Sequence, residues 1–290
     1  RWRNRRPGKN ERGVALISVL LVTSLALFVV AGLMRSHRMT VQGTAQQLHQ
    51  QQLRQAALTA ESYASQLLLA SDVREATTIH LGQDWALKAQ AFQLPDLDVR
   101  LEIEDLAGRF NLTRLVGTGG VDDVTLQRWV RLLSALDIPA FDLRLLNDFT
   151  LTDAAQLQRM PQLKRDDLQR LLPWVVVLPR DAMLNVNTVS APVMASLEGM
   201  TLSAARGLVN QRPPRGYADI ESFTRAPGVL GLGVSTHGLS VNSRWFRVSV
   251  HVRIADTQLR LISDIERVRN TNRTRVIRRR LVASAEHFQP

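Results

Sequence analysis

The stretch VALISVLLVTSLALFVVAGLM occupies residues 14–34 and contains no charged side chain. As an α-helix it is about 30 Å long, which is the thickness of the hydrocarbon core of a bilayer. A cleaved secretory signal has a shorter apolar stretch, of about 7 to 15 residues, with small residues at its far end. This stretch leads directly into Arg35 and Arg38. The sequence therefore predicts a membrane-spanning helix over residues 14–34.

Residues 1–13, ahead of this helix, form a basic leader. They carry nearly half of the chain's net charge of +11, because only Glu11 opposes their basic side chains. By the positive-inside rule such a leader stays in the cytoplasm. The rest of the chain then lies on the opposite side, which is the periplasm in a Gram-negative cell. We therefore expect a single-pass inner-membrane protein with a cytoplasmic N-terminus and a periplasmic C-terminal domain.

The boundary between leader and helix has the form of a processing site. Glu11-Arg12-Gly13 ends the leader, and the apolar stretch starts abruptly at Val14. These residues resemble the class III signal of type IV pilins and type II secretion pseudopilins, which a prepilin peptidase cleaves after the glycine before the new amine is methylated. The resemblance implies loss of the leader through Gly13 and a mature chain that begins at Val14. The alternative is a glycine that happens to precede an uncleaved anchor.

Most pilins have a glutamate at the fifth position of the mature chain, where this sequence has Ser18. In a filament that carboxylate would need the terminal ammonium of a neighbouring subunit, because an unpaired buried charge is costly. A subunit without it needs no neighbour ahead of it, which favours the first subunit of a filament. We also predict that the apolar face of this helix mediates helix association in the membrane. That face comprises Leu16, Ile17, Leu20, Leu21, Leu25 and Phe28.

Beyond the membrane the pattern predicts an α+β fold. Apolar residues recur at helical spacing, so we expect the N-terminal helix to continue to about residue 71. Alternation of apolar and polar residues predicts strands over residues 97–103 and 246–254, and further strands are predicted over 259–268 and 274–282. Together they predict a long helix packed on an antiparallel sheet.

Residues 113–228, between the strands, have the pattern of an inserted all-α domain. Prolines such as Pro161 and Pro173 lie where its helices start or stop. The predicted helices cover residues 124–136, 141–150, 153–159, 165–175, 191–197 and 203–211. The predicted organisation is a leader over 1–13, a membrane helix over 14–34, a first part of an α/β domain over 72–112, the insert over 113–228 and closing strands over 229–290.

Two separate stretches resemble the general secretion pathway protein K family, the minor pseudopilins of the type II secretion system. Residues 104–112, EDLAGRFNL, are similar to that family's junction between strand and insert. Residues 185–188, NVNT, are similar to the start of its second helical half. The resemblance implies a pilin-like α/β domain with a helical insertion. It also implies a place at the tip of the pseudopilus, where the protein starts or caps assembly and so serves the export of folded proteins.

The same resemblance implies a set of partners. They are the I and J minor pseudopilins, the major pseudopilin, the prepilin peptidase and the membrane, with exported proteins as a further class.

Residues 185–223 also resemble the helix-hairpin-helix modules of competence-type DNA-binding proteins. A membrane-anchored DNA-binding protein is therefore the alternative function. In those modules a Gly-x-Gly hairpin presents backbone amides to a phosphate. Here the hairpin reads Gly199-Met200-Thr201, so the second glycine is missing. We favour a packing role for this region and expect no nucleic-acid partner.

The sequence contains no catalytic motif. Its six histidines are scattered, and neither His-Glu-x-x-His nor Gly-x-Ser-x-Gly occurs. The absence of cysteine excludes disulfides and thiolate metal sites. Asp122 and Asp123 are weak candidates for a metal site, and the family resemblance implies calcium as the metal. Two carboxylates are too few, because calcium takes about six to eight oxygen ligands. A negative charge at the start of the next helix is the favoured role for this pair, and we expect a non-enzymatic protein without a cofactor.

Overall fold

The computed structural model describes residues 9–70, 77–87, 91–94, 97–116, 121–141, 143, 151–255, 257–269 and 271–283. The chain divides into two compact units, Arg1–Arg54 and Gln55–Pro290. The α-helices are α1 (Lys9–Leu68), α2 (Asp84–Leu87), α3 (Asp123–Ala135), α4 (Arg165–Leu171), α5 (Ala191–Met194), α6 (Leu202–Asn210) and α7 (Ile220–Thr224). The strands are β1 (Ala91–Leu94), β2 (Leu97–Asp105), β3 (Phe110–Asn111), β4 (Val175–Val176), β5 (Leu184–Asn185), β6 (Leu239–Ser240), β7 (Trp245–Ile254), β8 (Thr257–Arg267) and β9 (Thr274–Ala283).

The first unit is the longer part of α1. From residue 16 to residue 34 its side chains are exposed all round the helix, and Phe28 reaches 79% exposure. By length and composition this helix is able to cross a membrane. The Ser24 hydroxyl donates to the Leu20 carbonyl at 2.7 Å, so this polar group is satisfied within the helix, as an apolar environment requires.

The second unit is built on a five-stranded antiparallel sheet in the order β1-β2-β7-β8-β9. Leu101 lies opposite Val250, and Val250 lies opposite Leu261. Because side chains alternate along a strand, these three apolar residues share one face. All three are buried. The predicted antiparallel sheet is therefore confirmed, while the sequence analysis missed β1.

The last turns of α1, from Gln55 onward, pack against this sheet. Ala57, Ala60 and Ala64 are buried on one face of the helix, and Glu61 lies on the same face. The Glu61 carboxylate accepts hydrogen bonds from the Ser263 hydroxyl on β8 and, at 2.9 Å, from Arg279 Nε on β9. A buried carboxylate is tolerated here because both neighbours donate to it. The predicted helix on a sheet is therefore confirmed, with α1 ending at Leu68 rather than near residue 71.

Helices α3 to α7 surround their own apolar core, which contains Trp129, Leu132 and Phe223. The same core includes Phe110 and Leu239, on either side of residues 113–228. We had expected the inserted region to be wholly helical. Its residues also supply β4 and β5, which form short parallel pairs with β3 and β6. These pairs give hydrogen-bond partners to the backbone of the segments that enter and leave the insert.

Several predicted helices are shorter than expected. The segment predicted over 165–175 ends as α4 at Leu171, because Pro173 lies in the 3-10 turn Leu172–Trp174 that follows. The segment over 191–197 forms only α5, and that over 153–159 is the 3-10 turn Ala154–Arg159. The helix predicted over 141–150 lies mostly outside the described residues. Helices α3 and α6 agree with prediction to within one residue at each end.

We expect Glu61→Ala to lower the free energy of unfolding by about 1–3 kcal/mol, since the buried Ser263 hydroxyl would lose its acceptor. Urea denaturation of the full chain in neutral detergent measures this change. Glu221→Ala is the control, because the Glu221 and Arg225 side chains are 75% and 71% exposed. Such exposed pairs contribute about 0–1 kcal/mol. Equal losses in the two variants would contradict a special role for Glu61.

Candidate functional site

The two stretches that resemble the protein K family meet at one buried carboxylate. Asp105 ends β2 and is 3% exposed. Its Oδ2 accepts hydrogen bonds from Asn185 Nδ2 at 2.8 Å and from the Thr188 hydroxyl at 2.7 Å. Its Oδ1 accepts from the Ala107 backbone N–H at 2.9 Å, which caps the 3-10 turn after the strand. The structure thus joins motifs that are about eighty residues apart in the sequence.

Burial raises the pKa of Asp105, and the hydrogen bonds from Ser243, Thr188, Asn185 and Ala107 oppose that rise. A group whose pKa is raised by folding favours the folded state more when it is protonated than when it is charged. The donors around Asp105 therefore reduce the cost of a carboxylate at this position without cancelling it.

The backbone of the two motifs also approaches closely. A Cβ added at Gly108 would lie 2.9 Å from the Thr188 carbonyl oxygen, which is backbone and cannot move aside. Only glycine fits there without displacing the chain. The Asn111 side chain closes the same region, since its Oδ1 accepts from the Leu178 N–H at 3.1 Å and its Nδ2 donates to the Pro179 carbonyl at 2.9 Å.

Asparagines of the second motif bind backbone segments that lie before and after it in the sequence. Asn185 Nδ2 also donates to the Ile79 carbonyl at 3.0 Å. Asn187 forms a two-way contact with Tyr217, whose N–H donates to Asn187 Oδ1 at 2.7 Å while Asn187 Nδ2 donates to the Tyr217 carbonyl at 3.0 Å. Asn185 and Asn187 are fully buried, so these contacts replace water as their hydrogen-bond partners.

The helix-hairpin-helix-like region is a packed corner between α5 and α6. Gly199 has a φ of +66°, and a Cβ there would lie 3.0 Å from the Leu232 carbonyl oxygen. Met200 is buried in the helical core. Thr201 is the N-cap of α6, and its hydroxyl accepts from the Ala204 N–H at 3.2 Å. The side chain at the position of the missing glycine thus takes an amide that a phosphate would need, which supports the packing role.

A buried ion pair fixes this corner to α3. Arg128 donates to both oxygens of Glu198 at 2.9 Å, and the same guanidinium donates to the Ser235 and His237 carbonyls, each at 2.6 Å. Burial would raise the pKa of Glu198, but the hydrogen bonds and charge of Arg128 hold it below its ordinary value. The paired geometry and the extra acceptors satisfy the guanidinium, so the pair is stable where it lies.

Asp122 and Asp123 lie at the start of α3. Asp122 is its N-cap, accepting from the Thr125 N–H at 2.7 Å and from the Thr125 hydroxyl at 2.8 Å. His237 Nε2 lies 3.2 Å from the same carboxylate. The described residues contain no group of three or more His, Asp or Glu side chains arranged to hold a metal ion. These contacts fit the predicted helix-terminal role, and the expectation of a protein without a cofactor, with this pair as weak metal candidates, stays a prediction.

The residues predicted for processing lie on α1. Gly13 and Val14 belong to its first turns, and Ser18 is exposed. The residues predicted for helix association are 59–79% exposed, and Val19, Val22 and Leu27 are exposed to a similar degree. The isolated chain therefore distinguishes no single association face, and the predicted one stays a prediction.

Sequence reasoning missed Glu61, Arg128 and Glu198. Each is a charged residue surrounded in the sequence by apolar or helical positions, and Arg128 precedes the buried Trp129. A charge on a predicted core face is the available signal, because it requires a partner of opposite charge. The partner itself lies 70 residues from Arg128, and more than 200 residues from Glu61, so the sequence does not identify it.

Comparison with known proteins agrees with the motifs. Residues 184–242 match the family described as type II secretion system (T2SS), protein K. The type II secretion system protein K of Pseudomonas aeruginosa is 31% identical, over 89% of this chain and 90% of that protein. The protein of the same name from Pectobacterium carotovorum subsp. carotovorum is 26% identical over 85% of this chain and 90% of that protein.

A solved structure shows the same fold. It is a crystal structure of the GspK-GspI-GspJ complex from the type 2 secretion system of enterotoxigenic Escherichia coli. A chain of that complex matches with a TM-score of 0.70 and 22% identity, over 83% of this chain and 99% of that chain. The matched family region spans the whole corner from α5 to β6.

We expect Glu198→Ala to cost about 3–5 kcal/mol of unfolding free energy at pH 7, because it leaves the Arg128 guanidinium buried without its carboxylate. Since folding lowers the pKa of Glu198, the contribution is present at neutral pH and is lost as the pH falls through the folded-state value. The difference between wild type and variant should therefore shrink below about pH 4. Urea denaturation at pH 7 and pH 3.5 measures both effects. A pH-independent difference would contradict the ion-pair explanation.

Proposed function

This chain belongs to the type II secretion system protein K family, and we propose that it is a minor pseudopilin at the tip of the pseudopilus. There it starts or caps pseudopilus assembly and so supports the export of folded proteins. The observation that carries this proposal is the 31% identity with the Pseudomonas aeruginosa protein across 89% of the chain. The meeting of the two family motifs at Asp105 adds to it, because it explains why those residue types occur together.

Membrane insertion is the first step of the proposed function. The apolar part of α1 anchors the chain in the inner membrane, the basic leader keeps the N-terminus in the cytoplasm, and the unit from Gln55 onward lies in the periplasm. Prepilin peptidase then cleaves after Gly13, so that Val14 carries the new terminal amine. The exposure of every apolar side chain from residue 16 to 34 supports membrane insertion, since only lipid or neighbouring helices can cover such a surface.

The tip position rests on Ser18 and on the inserted region. Ser18 presents no carboxylate to a subunit ahead of it, whereas the amine of Val14 can pair with a glutamate offered by the subunit below. Residues 113–228 add bulk to the pilin-like sheet, and a wound filament has room for that bulk only at its end. Both features favour the first position over a position within the shaft.

The I and J minor pseudopilins are the proposed immediate partners, with the major pseudopilin below them. The fold shared with a chain of the GspK-GspI-GspJ complex supports this choice. The protein acts by assembly rather than by catalysis, and the work of extension comes from another component of the secretion system.

We expect Gly13→Ala to leave the leader attached when the chain is coexpressed with a prepilin peptidase. The added methyl group lies next to the scissile bond and interferes with the peptidase's recognition of this position. Intact-mass measurement of the purified chain distinguishes the two forms. Gly32→Ala is the control, because a Cβ at that position meets nothing within 4 Å. Normal trimming of Gly13→Ala would remove the pilin-type processing from the proposal.

We expect Ser18→Glu to reduce pseudopilus number and exoprotein secretion several-fold. No subunit lies ahead of the tip subunit, so no terminal ammonium is present to pair with the new carboxylate. Ser18→Ala should leave both unchanged, since neither side chain carries a charge. Counting pseudopili by electron microscopy and assaying secreted protein in a complemented deletion strain measure the effect. Wild-type behaviour of Ser18→Glu would argue against the tip position.

A further inference from the structure

A cleft of about 620 Å³ opens in the second unit, beside the turn that joins β8 to β9. Asp181 and Met183, just before β5, form one side, and Arg244 and Trp245, at the start of β7, lie deeper. Arg267 is the last residue of β8, and Arg269 belongs to the turn that follows it. The volume is within the range of about 300–1,000 Å³ that is typical of ligand pockets. None of these residues takes part in the joint at Asp105 described above.

The lining of this cleft is cationic. Asp181 Oδ2 lies 3.0 Å from Arg244 and 4.0 Å from Arg269, so one carboxylate serves two guanidiniums. Arg267 adds a third basic side chain. Asp181 is the only acidic residue among those that line the cleft within the described part of the chain. A cleft with one sign of excess charge concentrates partners of the opposite sign.

Two buried donors on the lining lack an acceptor. Trp245 is 4% exposed, and its indole Nε1–H has no hydrogen-bond partner among the residues that the structure describes. Arg244 Nε is also without a hydrogen bond there, since its nearest carboxylate oxygen, on Glu266, is 3.6 Å away. Because both atoms are themselves shielded from solvent, a ligand in the cleft meets the guanidinium ends of Arg244 and Arg269, whose side chains are 21% and 71% exposed.

The cleft also has an apolar part. Met183 is 48% exposed, and the Arg244 guanidinium stacks 4.4 Å from the centroid of the Trp245 ring. This stacking holds the guanidinium in place, so it loses little freedom when it binds a carboxylate. A flexible methionine beside fixed cationic groups suits a partner with both an apolar and an acidic side chain.

We propose that this cleft binds an extended, acidic segment of a transient protein partner. Glutamate or aspartate side chains of the segment pair with Arg244 and Arg269, and an apolar side chain covers Met183. Permanent subunit interfaces are apolar and depleted of charge at their centre, whereas this cleft is lined by charged groups, which favours a partner that leaves again. A second copy of this chain is a poor occupant because it stays basic after loss of the leader, which carries only nearly half of the net charge of +11.

The test uses the full chain in neutral detergent and a rhodamine-labelled peptide of alternating glutamate and leucine, with fluorescence anisotropy as the readout. Binding should weaken at least tenfold when sodium chloride rises from 50 to 300 mM. Arg269→Glu should weaken binding at least tenfold, and Met183→Ala about threefold. Arg225→Glu should change it less than twofold. Arg269 and Arg225 are matched positions, since both side chains are 71% exposed.

Three results would overturn the proposal. Equal weakening by Arg269→Glu and Arg225→Glu would show attraction to overall charge rather than to the cleft. Tighter binding of a duplex DNA probe than of the peptide, sensitive to Arg269→Glu, would assign the cleft to nucleic acid. Displacement of the peptide by purified I or J pseudopilin, in a complex that survives 300 mM salt, would make the cleft a permanent subunit interface. None of these results bears on cleavage after Gly13, so the proposed function stands or falls separately.

Discussion

The second unit depends on the burial of one carboxylate. Asp105 carries a group that is costly in an apolar interior, and its hydrogen-bond donors offset part of that cost. Those donors come from the turn after β2 and from the NVNT segment. The sheet and the helical region are therefore held in one arrangement, because any displacement would leave the carboxylate without partners. Gly108 makes the same demand sterically, since the Thr188 backbone occupies the space of a side chain.

The N-terminal helix α1 has two contrasting stretches. Residues 16–34 carry large apolar side chains that the chain itself leaves uncovered, whereas the stretch after Gln55 buries small alanines and a paired glutamate. Large apolar side chains suit lipid and helix neighbours, and alanines let a helix backbone lie close to a sheet. The composition of this one helix thus differs between the exposed stretch and the stretch that packs on the sheet.

The sequence was sufficient for the elements that have a strong periodic pattern. β2 and β7 alternate clearly, and α3 follows its N-cap Asp122 and has a regular apolar stripe. The short parallel pairs β3–β4 and β5–β6 escaped prediction because two-residue bridges have no periodicity. The predicted length of the helix after Lys164 was too great, because Pro173 lies in the 3-10 turn that follows its last residue.

The candidate site was predicted in its parts but not in its assembly. Both family motifs were recognised from their residues, yet their contact through Asp105 links positions far apart in the chain, which periodicity does not report. The same reason hid the Arg128–Glu198 pair and the cleft beside Trp245. Such features depend on tertiary contacts, where a charge is explained only by a distant residue.

The strand β9 lies at one edge of the sheet and carries arginines along its length. Arg278 and Arg280 pair with Asp153 in the inserted region, and Arg275 pairs with Glu266 on β8. An edge strand offers unpaired backbone groups to any passing strand, but two copies of β9 would set guanidiniums against guanidiniums. The charge of β9 thus opposes sheet-to-sheet pairing between copies of the chain.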